Sequence, residues 1–210
     1  AGNGYLAVAA SLLNSAALDA QGRIEMWGWP TPTLMNALPI GTGYLDITAG
    51  WNYFCALNSG GGIECWGPED DVINAVPAGT GYLAVSAAIS HSCALTSAGA
   101  IECWGWNKNQ KVSGAPNGIG YQAVDAGDWQ NCALTSVGSV ECWGKADDSG
   151  NEECPPEYDD EECTDDFEDE DGEVGELPGG TGYVAISSGA QHSCALSADG
   201  AIRCWGMDTY

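Results

Sequence analysis

One unit recurs five times along this chain, and a sequence that repeats itself about every 38 residues folds by stacking each copy on its neighbour. The third copy reads GYLAVSAAISHSCALTSAGAIECWG, from Gly81 to Gly105, and the others open at Gly4, Gly43, Gly120 and Gly182. The first four follow one another closely. The fifth is displaced by an insertion of about 23 residues.

Within a copy the pattern is that of strands. GYLAV alternates, Cys-Ala-Leu and Ile-Glu-Cys-Trp alternate, and glycine-containing turns separate them. No stretch carries a convincing helical period. Cys93 and Cys103 lie symmetrically about Ala98, so a hairpin turning at Ser97-Ala98-Gly99 sets Leu95 opposite Ile101 and Cys93 opposite Cys103. A directly opposed, non-hydrogen-bonded pair of a hairpin is close enough for a disulfide. The same ten-residue offset recurs between Cys55 and Cys65, between Cys132 and Cys142, and between Cys194 and Cys204, which gives four cross-strand bridges. Cys154 and Cys163, the two cysteines left of ten, are expected to pair with each other. The first copy has Ala16 and Met26 at the bridge positions and is unstapled.

An even cysteine count without a Cys-x-x-Cys pair argues for disulfides over zinc, and hence for an oxidising, extracellular or cell-surface setting. The chain opens on Ala1 with no charged-then-apolar leader, and reads as a mature chain whose targeting segment has been removed. No apolar run approaches the roughly 20 residues of a membrane helix, so membrane insertion is not expected. Its formal charge of −25 repels phosphate backbones and anionic lipid, which removes nucleic acid from the expected partners.

The run Gly189-Ala190-Gln191-His192-Ser193-Cys194-Ala195-Leu196, followed by Asp199-Gly200 and Cys204-Trp205-Gly206, resembles the bacterial, extracellular branch of the regulator of chromosome condensation repeat family, which includes the β-lactamase inhibitor protein type of propeller. The resemblance covers nearly the whole chain apart from residues 145–178. It implies an all-β fold, a β-propeller or propeller-like arc of five repeats, each a disulfide-stapled antiparallel hairpin plus a further strand. The family commonly closes seven blades and this chain supplies five, so a closed five-bladed ring and an open arc both stand. For function the resemblance is broad, because its members include exchange factors, inhibitors and structural pieces. The whole of 1–210 is expected to form one repeat domain carrying the insert at 146–178.

That insert holds 17 of the chain's 30 acidic residues and no base. Such a density of hard oxygen ligands suits calcium, with Asp165, Asp169, Asp171, Glu173 and Glu176 as the candidate metal ligands and Ca²⁺ as the candidate cofactor. The Asp-Glu-Asp-Gly core at 169–172 fails as an EF-hand, since Phe167 and Pro178 fall where the first and twelfth ligands belong. A solvated acidic loop and a docking site for a basic partner are the competing readings.

His91 and His192 occupy the same place in the repeat, where other copies carry Asn14, Tyr53 and Gln130. A position that accepts those four side chains reads as a structural hydrogen-bonding site, and no nucleophile or carboxylate accompanies it. Catalytic residues are therefore not assigned and an enzyme is not expected. Trp27, Trp66, Trp104, Trp143 and Trp205 close the last strand of every copy and read as blade packing. Trp29, Trp51, Trp106 and Trp129 fall outside that register, and Trp51, Trp106 and Trp129 are the candidates for contact with a protein partner or sugar rings. Glu25, Glu64, Glu102 and Glu141 recur on a strand, with Arg203 in the fifth copy, and read as solvated or edge-blunting. There is no Asn-x-Ser/Thr acceptor, while Thr31 and Thr33 are candidates for O-linked sugar.

These observations point to an extracellular structural or interaction scaffold that contacts other protein chains, copies of itself included, in a surface layer or filament, with calcium as a stabiliser. A soluble secreted binding module or enzyme inhibitor is the alternative.

Overall fold

The computed structural model describes residues 4–29, 31–68, 70–144 and 177–206. Each repeat forms one three-stranded antiparallel meander, a blade, in which the strands lie in chain order. Blade one is β1 (Ala7–Ala10), β2 (Asn14–Leu18) and β3 (Ile24–Gly28); blade two is β4 (Tyr44–Ala49), β5 (Phe54–Asn58) and β6 (Ile63–Trp66). Blade three is β7 (Tyr82–Ala87), β8 (His91–Thr96) and β9 (Ile101–Gly105); blade four is β10 (Tyr121–Ala126), β11 (Asn131–Thr135) and β12 (Val140–Trp143). Blade five is β13 (Tyr183–Ser188), β14 (His192–Ser197) and β15 (Ile202–Gly206).

The expected hairpin register holds: Cys93 faces Cys103 and Leu95 faces Ile101. All four bridges between β-strands form as the spacing predicts. Cys55 on β5 joins Cys65 on β6, Cys93 on β8 joins Cys103 on β9, Cys132 on β11 joins Cys142 on β12, and Cys194 on β14 joins Cys204 on β15. Their Cα separations are 4.0–4.1 Å. Within a pair the central-strand partner is the deeper one: Cys55, Cys93 and Cys132 are fully buried, while Cys65, Cys103 and Cys142 on the outer strands are half-buried. Cys154 and Cys163 lie outside the described residues. Two short helices, α1 (Pro32–Asn36) and α2 (Asp70–Ile73), and a 3₁₀ turn at Lys108–Gln110 occupy connections between blades. The α1 start is set by Thr31, whose hydroxyl accepts from the Leu34 N–H, with proline at the first position. At five residues or fewer, these elements are too short to show a helical period.

Alternation gives each blade two faces. The leading face, turned toward the preceding blade, carries the fourth residue after the opening glycine (Ile47, Val85, Val124) and the closing tryptophan. The trailing face, turned toward the following blade, carries the leucine and isoleucine or valine of the hairpin (Leu57, Ile63; Leu95, Ile101; Leu134, Val140) and the disulfide sulfurs. Four core clusters result, one at each seam from blade one to blade five. Among the described residues no core cluster joins blade five back to blade one. Among the described residues the five blades form an open arc, with Val8 of blade one and Ile202 of blade five both exposed.

Hairpin turns between the second and third strands explain the close seams. Gly61 and Gly99 have φ of +75° and +76°, and a Cβ on either would lie 2.6–2.7 Å from the backbone of the next repeat. The next repeat's opening tyrosine then donates its N–H to that glycine's carbonyl: Tyr44 to Gly22, Tyr82 to Gly61, Tyr121 to Gly99 and Tyr183 to Gly138, all at 3.0–3.1 Å.

Candidate interaction faces

Polar side chains stitch the seams by position. The tenth residue of one blade reaches the eleventh of the next: the Tyr53 hydroxyl meets the Ser92 hydroxyl at 2.9 Å, His91 Nε2 meets Asn131 Oδ1 at 2.7 Å, and Gln130 Nε2 donates to Ser193 Oγ at 2.8 Å. A second set joins the inner strands, the fifth residue accepting from the sixth N–H of the next blade: Thr48 from Ala87, Ser86 from Ala126, and Asp125 from Ser188. His91 is wholly buried. Asn131 uses its amide nitrogen on the Lys111 carbonyl at 2.9 Å, which leaves Oδ1 to accept from His91 Nε2. Burial pulls the His91 pKa down from 6.5 to about 4; the bond to Asn131 opposes that, and the nearby Lys111 charge adds to it. His91 is a neutral structural donor, as its place in the repeat suggests. Burial likewise raises the Asp125 pKa, against the hydrogen bonds from Ser86 and Ser188.

At the two ends this stitching has nothing to hold. Ile202 on the trailing face of blade five is 68% exposed, whereas its equivalents Ile63 and Ile101 are 7–8% exposed. Val8 on the leading face of blade one is 72% exposed, against 6% for Val85. Leu196 and His192 at the trailing end are exposed too. So is Cys204, where its equivalents Cys65, Cys103 and Cys142 are partly covered by the following blade. Trp27 is also exposed, which overturns its reading as blade packing: a closing tryptophan packs on the preceding blade, and among the described residues no blade stands before blade one. Trp66, Trp104 and Trp205 are buried at their seams.

Trp51, Trp106 and Trp129 all sit at the same end of the blades, since the first turn of each meander and the close of its third strand share one edge. Two of them converge. Lys111 Nζ lies 5.2 Å from the Trp106 ring centre and 5.7 Å from that of Trp129, and donates to the Asp128 carbonyl at 2.6 Å. Lys108 Nζ lies 5.6 Å from Trp106. The Lys111 carbonyl also accepts from Trp143 Nε1 at 2.9 Å, so this lysine pins the connection between blades three and four. Trp51 stands apart from this cluster, its N–H bonded to the Ile89 carbonyl.

The metal candidates Asp165, Asp169, Asp171, Glu173 and Glu176 lie outside the described residues. Among the described residues no cluster of three His, Cys, Asp or Glu side chains is placed to hold a metal ion, and no helix is long and apolar enough to cross a membrane.

Two features were missed from sequence. Each recurring glutamate accepts from the opening tyrosine of its own blade: Tyr5 to Glu25, Tyr44 to Glu64, Tyr82 to Glu102 and Tyr121 to Glu141, at 2.5–2.8 Å. The signal was present, since each pair is twenty residues apart. Burial and the paired glutamate push the Tyr82 and Tyr121 pKa values up to about 12. The second is an outward row, Leu6, Leu45, Leu83 and Val184, one from each of four blades and each following its tyrosine. In blades two, three and five this residue sits at a register shift, which turns it outward from the alternation.

The comparisons agree with this architecture. The family model of the regulator of chromosome condensation (RCC1) repeat matches residues 183–210. No curated protein sequence matches the chain. The CRINKLY WD40 ectodomain of the receptor kinase ACR4 from Arabidopsis thaliana is similar at a TM-score of 0.69 and 19% identity, over 97% of this chain and 65% of that one. The entire ectodomain of the receptor kinase CR4 from Physcomitrella patens gives 0.71 and 23%, over 96% and 53%. A structure of Kap60 bound to yeast RCC1 (Prp20) gives 0.66 and 18%, over 95% and 55%. This chain thus spans between half and two thirds of the length of these three chains, and the likeness is one of fold.

Blades, seams and staples together define a propeller-type repeat protein. The RCC1 repeat model falls on the fifth repeat, and the four before it keep the same glycine, leucine and tryptophan positions.

Proposed function

We propose that this chain is an extracellular, non-enzymatic interaction scaffold that assembles copies of itself into a surface layer or filament. The observation that carries the reading is the pair of uncovered end faces, where Val8, Trp27, Leu196 and Ile202 expose side chains or positions that the inner blades bury. Four disulfides support an oxidising setting, and two of the similar structures are ectodomains of receptor kinases. The yeast structure, in which RCC1 is bound by Kap60, is consistent with protein partners for this fold.

A charge of −25 opposes association of like copies. We therefore assign the acidic insert, with Asp165, Asp169, Asp171, Glu173 and Glu176, the role of a calcium-binding segment that lowers this repulsion. Sedimentation velocity over a wide concentration range, in about 0.15 M salt where charges are screened beyond about 8 Å, tests the assembly. Sedimentation should quicken with concentration, and more so with calcium. A particle that stays monomeric at the highest concentration, with and without calcium, overturns the reading.

A second reading, a soluble binder or inhibitor of another secreted protein, is favoured by the convergence of Trp106 and Trp129 on Lys111. It requires a partner whose capture is lost when both tryptophans are replaced by alanine while the end faces are left intact.

A further inference from the structure

We infer that the cleft beside Tyr183 and Arg203, where blade five meets blade four, binds the carboxylate of a small organic acid with an apolar body. Binding there needs no assembly and involves neither end face of the arc. In blades one to four the opening tyrosine donates its hydroxyl to a glutamate on the third strand of its own blade, at 2.5–2.8 Å. Blade five keeps the tyrosine and carries a base in place of the acid, Tyr183 and Arg203 standing at the same two positions. A guanidinium donates and does not accept. Two donors therefore lie side by side where the other blades set a donor and its acceptor, and among the described residues neither the Tyr183 hydroxyl nor the Arg203 side chain has a hydrogen-bond or ion-pair partner.

The surroundings make this a cleft. Tyr183 is held in the seam cluster with Leu134 and Val140 of blade four, which fixes its ring. Leu177, Pro178 and Gly179, the stretch leading into blade five, supply the other wall, and the space they enclose with Tyr183, Arg203 and Cys204 is about 350 Å³. That is at the small end of the volumes ligand pockets occupy. Leu177 is exposed, and a Cβ on Gly179 would meet nothing within 4 Å, so the cleft has an apolar wall and room beside it. Access does not depend on what lies beyond blade five. Glu64, Glu102 and Glu141 are exposed at the position of Arg203 although each of their blades has another after it.

The ligand class follows from the repeat. Four blades place a carboxylate against this tyrosine hydroxyl, and the fifth leaves that place to a carboxylate from outside. One oxygen accepts from the phenol, while the planar guanidinium fork suits both oxygens with parallel bonds. Leu177 and Pro178 face the rest of the molecule, which is therefore apolar. A chain of charge −25 repels a multiply charged anion more than a singly charged one, which favours a monocarboxylate over a phosphate.

Benzoate is the probe, with benzyl alcohol as the same ring without the charge and inorganic phosphate as a competing anion. Saturation-transfer NMR on the intact chain should show saturable binding of benzoate and none of benzyl alcohol, and phosphate at equal concentration should leave the benzoate signal unchanged. Arg203→Glu gives blade five the pairing of the other four, so it should fold with its disulfide intact and lose benzoate binding. Arg203→Lys keeps the charge without the fork, and Tyr183→Phe keeps the ring without the donor; each should weaken benzoate by about tenfold. No saturable binding to the wild-type chain overturns the inference, as does equal binding to wild type and Arg203→Glu. Displacement by phosphate at equal concentration overturns the choice of a carboxylate. A fall in the melting temperature of Arg203→Glu, with no benzoate binding to wild type, would mean that one of the chain's own acids serves Arg203, and the external ligand fails.

Discussion

Acid should loosen this arc through one side chain, His91. In the folded chain its ring is buried, donates to Asn131 and titrates at about 4, against 6.5 when exposed. The unfolded chain therefore takes up the proton first as pH falls below 6.5, and stability declines until the folded chain is protonated too, near pH 4. Each pH unit in that window costs about 1.4 kcal/mol, for a total of about 3 kcal/mol by pH 4. Asp46, Asp125 and Asp128, whose pKa values burial raises, act in the opposite direction, gaining stability as pH falls toward their ordinary carboxylate range. A difference measurement isolates the histidine. His91→Gln keeps a donor of the kind Gln130 already supplies at the same position one blade on, and it does not titrate. Urea midpoints for wild type and variant at pH 7, 6, 5 and 4 should show the stability gap shifting in favour of the variant by about 3 kcal/mol between the extremes. A gap that stays constant across that range refutes a neutral, buried His91.

Three further expectations follow from the seams and the insert. Gly99→Ala should cost at least about 2 kcal/mol, because the new Cβ meets Gly120 backbone at 2.7 Å, whereas Gly200→Ala should cost about 1 kcal/mol from its positive φ alone; thermal melts of both separate the two terms. Replacing both Cys93 and Cys103 by serine should lower stability by about 2 to 3 kcal/mol, read from denaturant midpoints. Calcium titration by calorimetry should give binding with the intact chain and none once residues 146–178 are removed; equal heats from both refute the calcium assignment.

What the sequence made legible was everything that a repeat must satisfy internally. Cys93 and Cys103 disclosed their register because symmetric spacing about a turn leaves no other pairing. Cys65 opposite Cys55, Cys142 opposite Cys132 and Cys204 opposite Cys194 follow by the same spacing in blades two, four and five. His91 disclosed a polar seam position because Asn, Tyr and Gln share it. Whether a neighbour exists to meet a face is not written in a periodic pattern. Trp27 follows the same rule as Trp66 and yet is exposed, because its covering surface belongs to a blade preceding the first. The convergence of Trp106 and Trp129 on Lys111 was hidden for another reason: it joins an inter-blade connection to a turn in the next blade, and no local spacing reports such a contact.

The first seam should be the weakest, and the reason is chemical. At its eleventh position blade two carries Phe54, which stacks on Trp66 with ring centres 5.7 Å apart and offers Asn14 no hydrogen bond. Asn14 Oδ1 is buried without a partner among the described residues, as are His91 Nδ1 and Gln130 Oε1 at the same position, but those two side chains still make a hydrogen bond across their seams and Asn14 makes none, a difference of about 1 kcal/mol. Ala9 at the fifth position has no side-chain acceptor for the Ala49 N–H, and Ala16 and Met26 stand where the other blades are stapled. Blade one thus depends on its apolar contacts with Ile47, Phe54 and Leu34. Native-state hydrogen exchange should find residues 7–28 opening at a lower free energy than blades two to four. Val8 and Trp27 of that same blade are exposed, so assembly through this face should raise its protection more than that of any inner blade. Uniform protection across the blades in the free chain would mean that the missing staple and the orphaned amide are offset at this seam by packing alone.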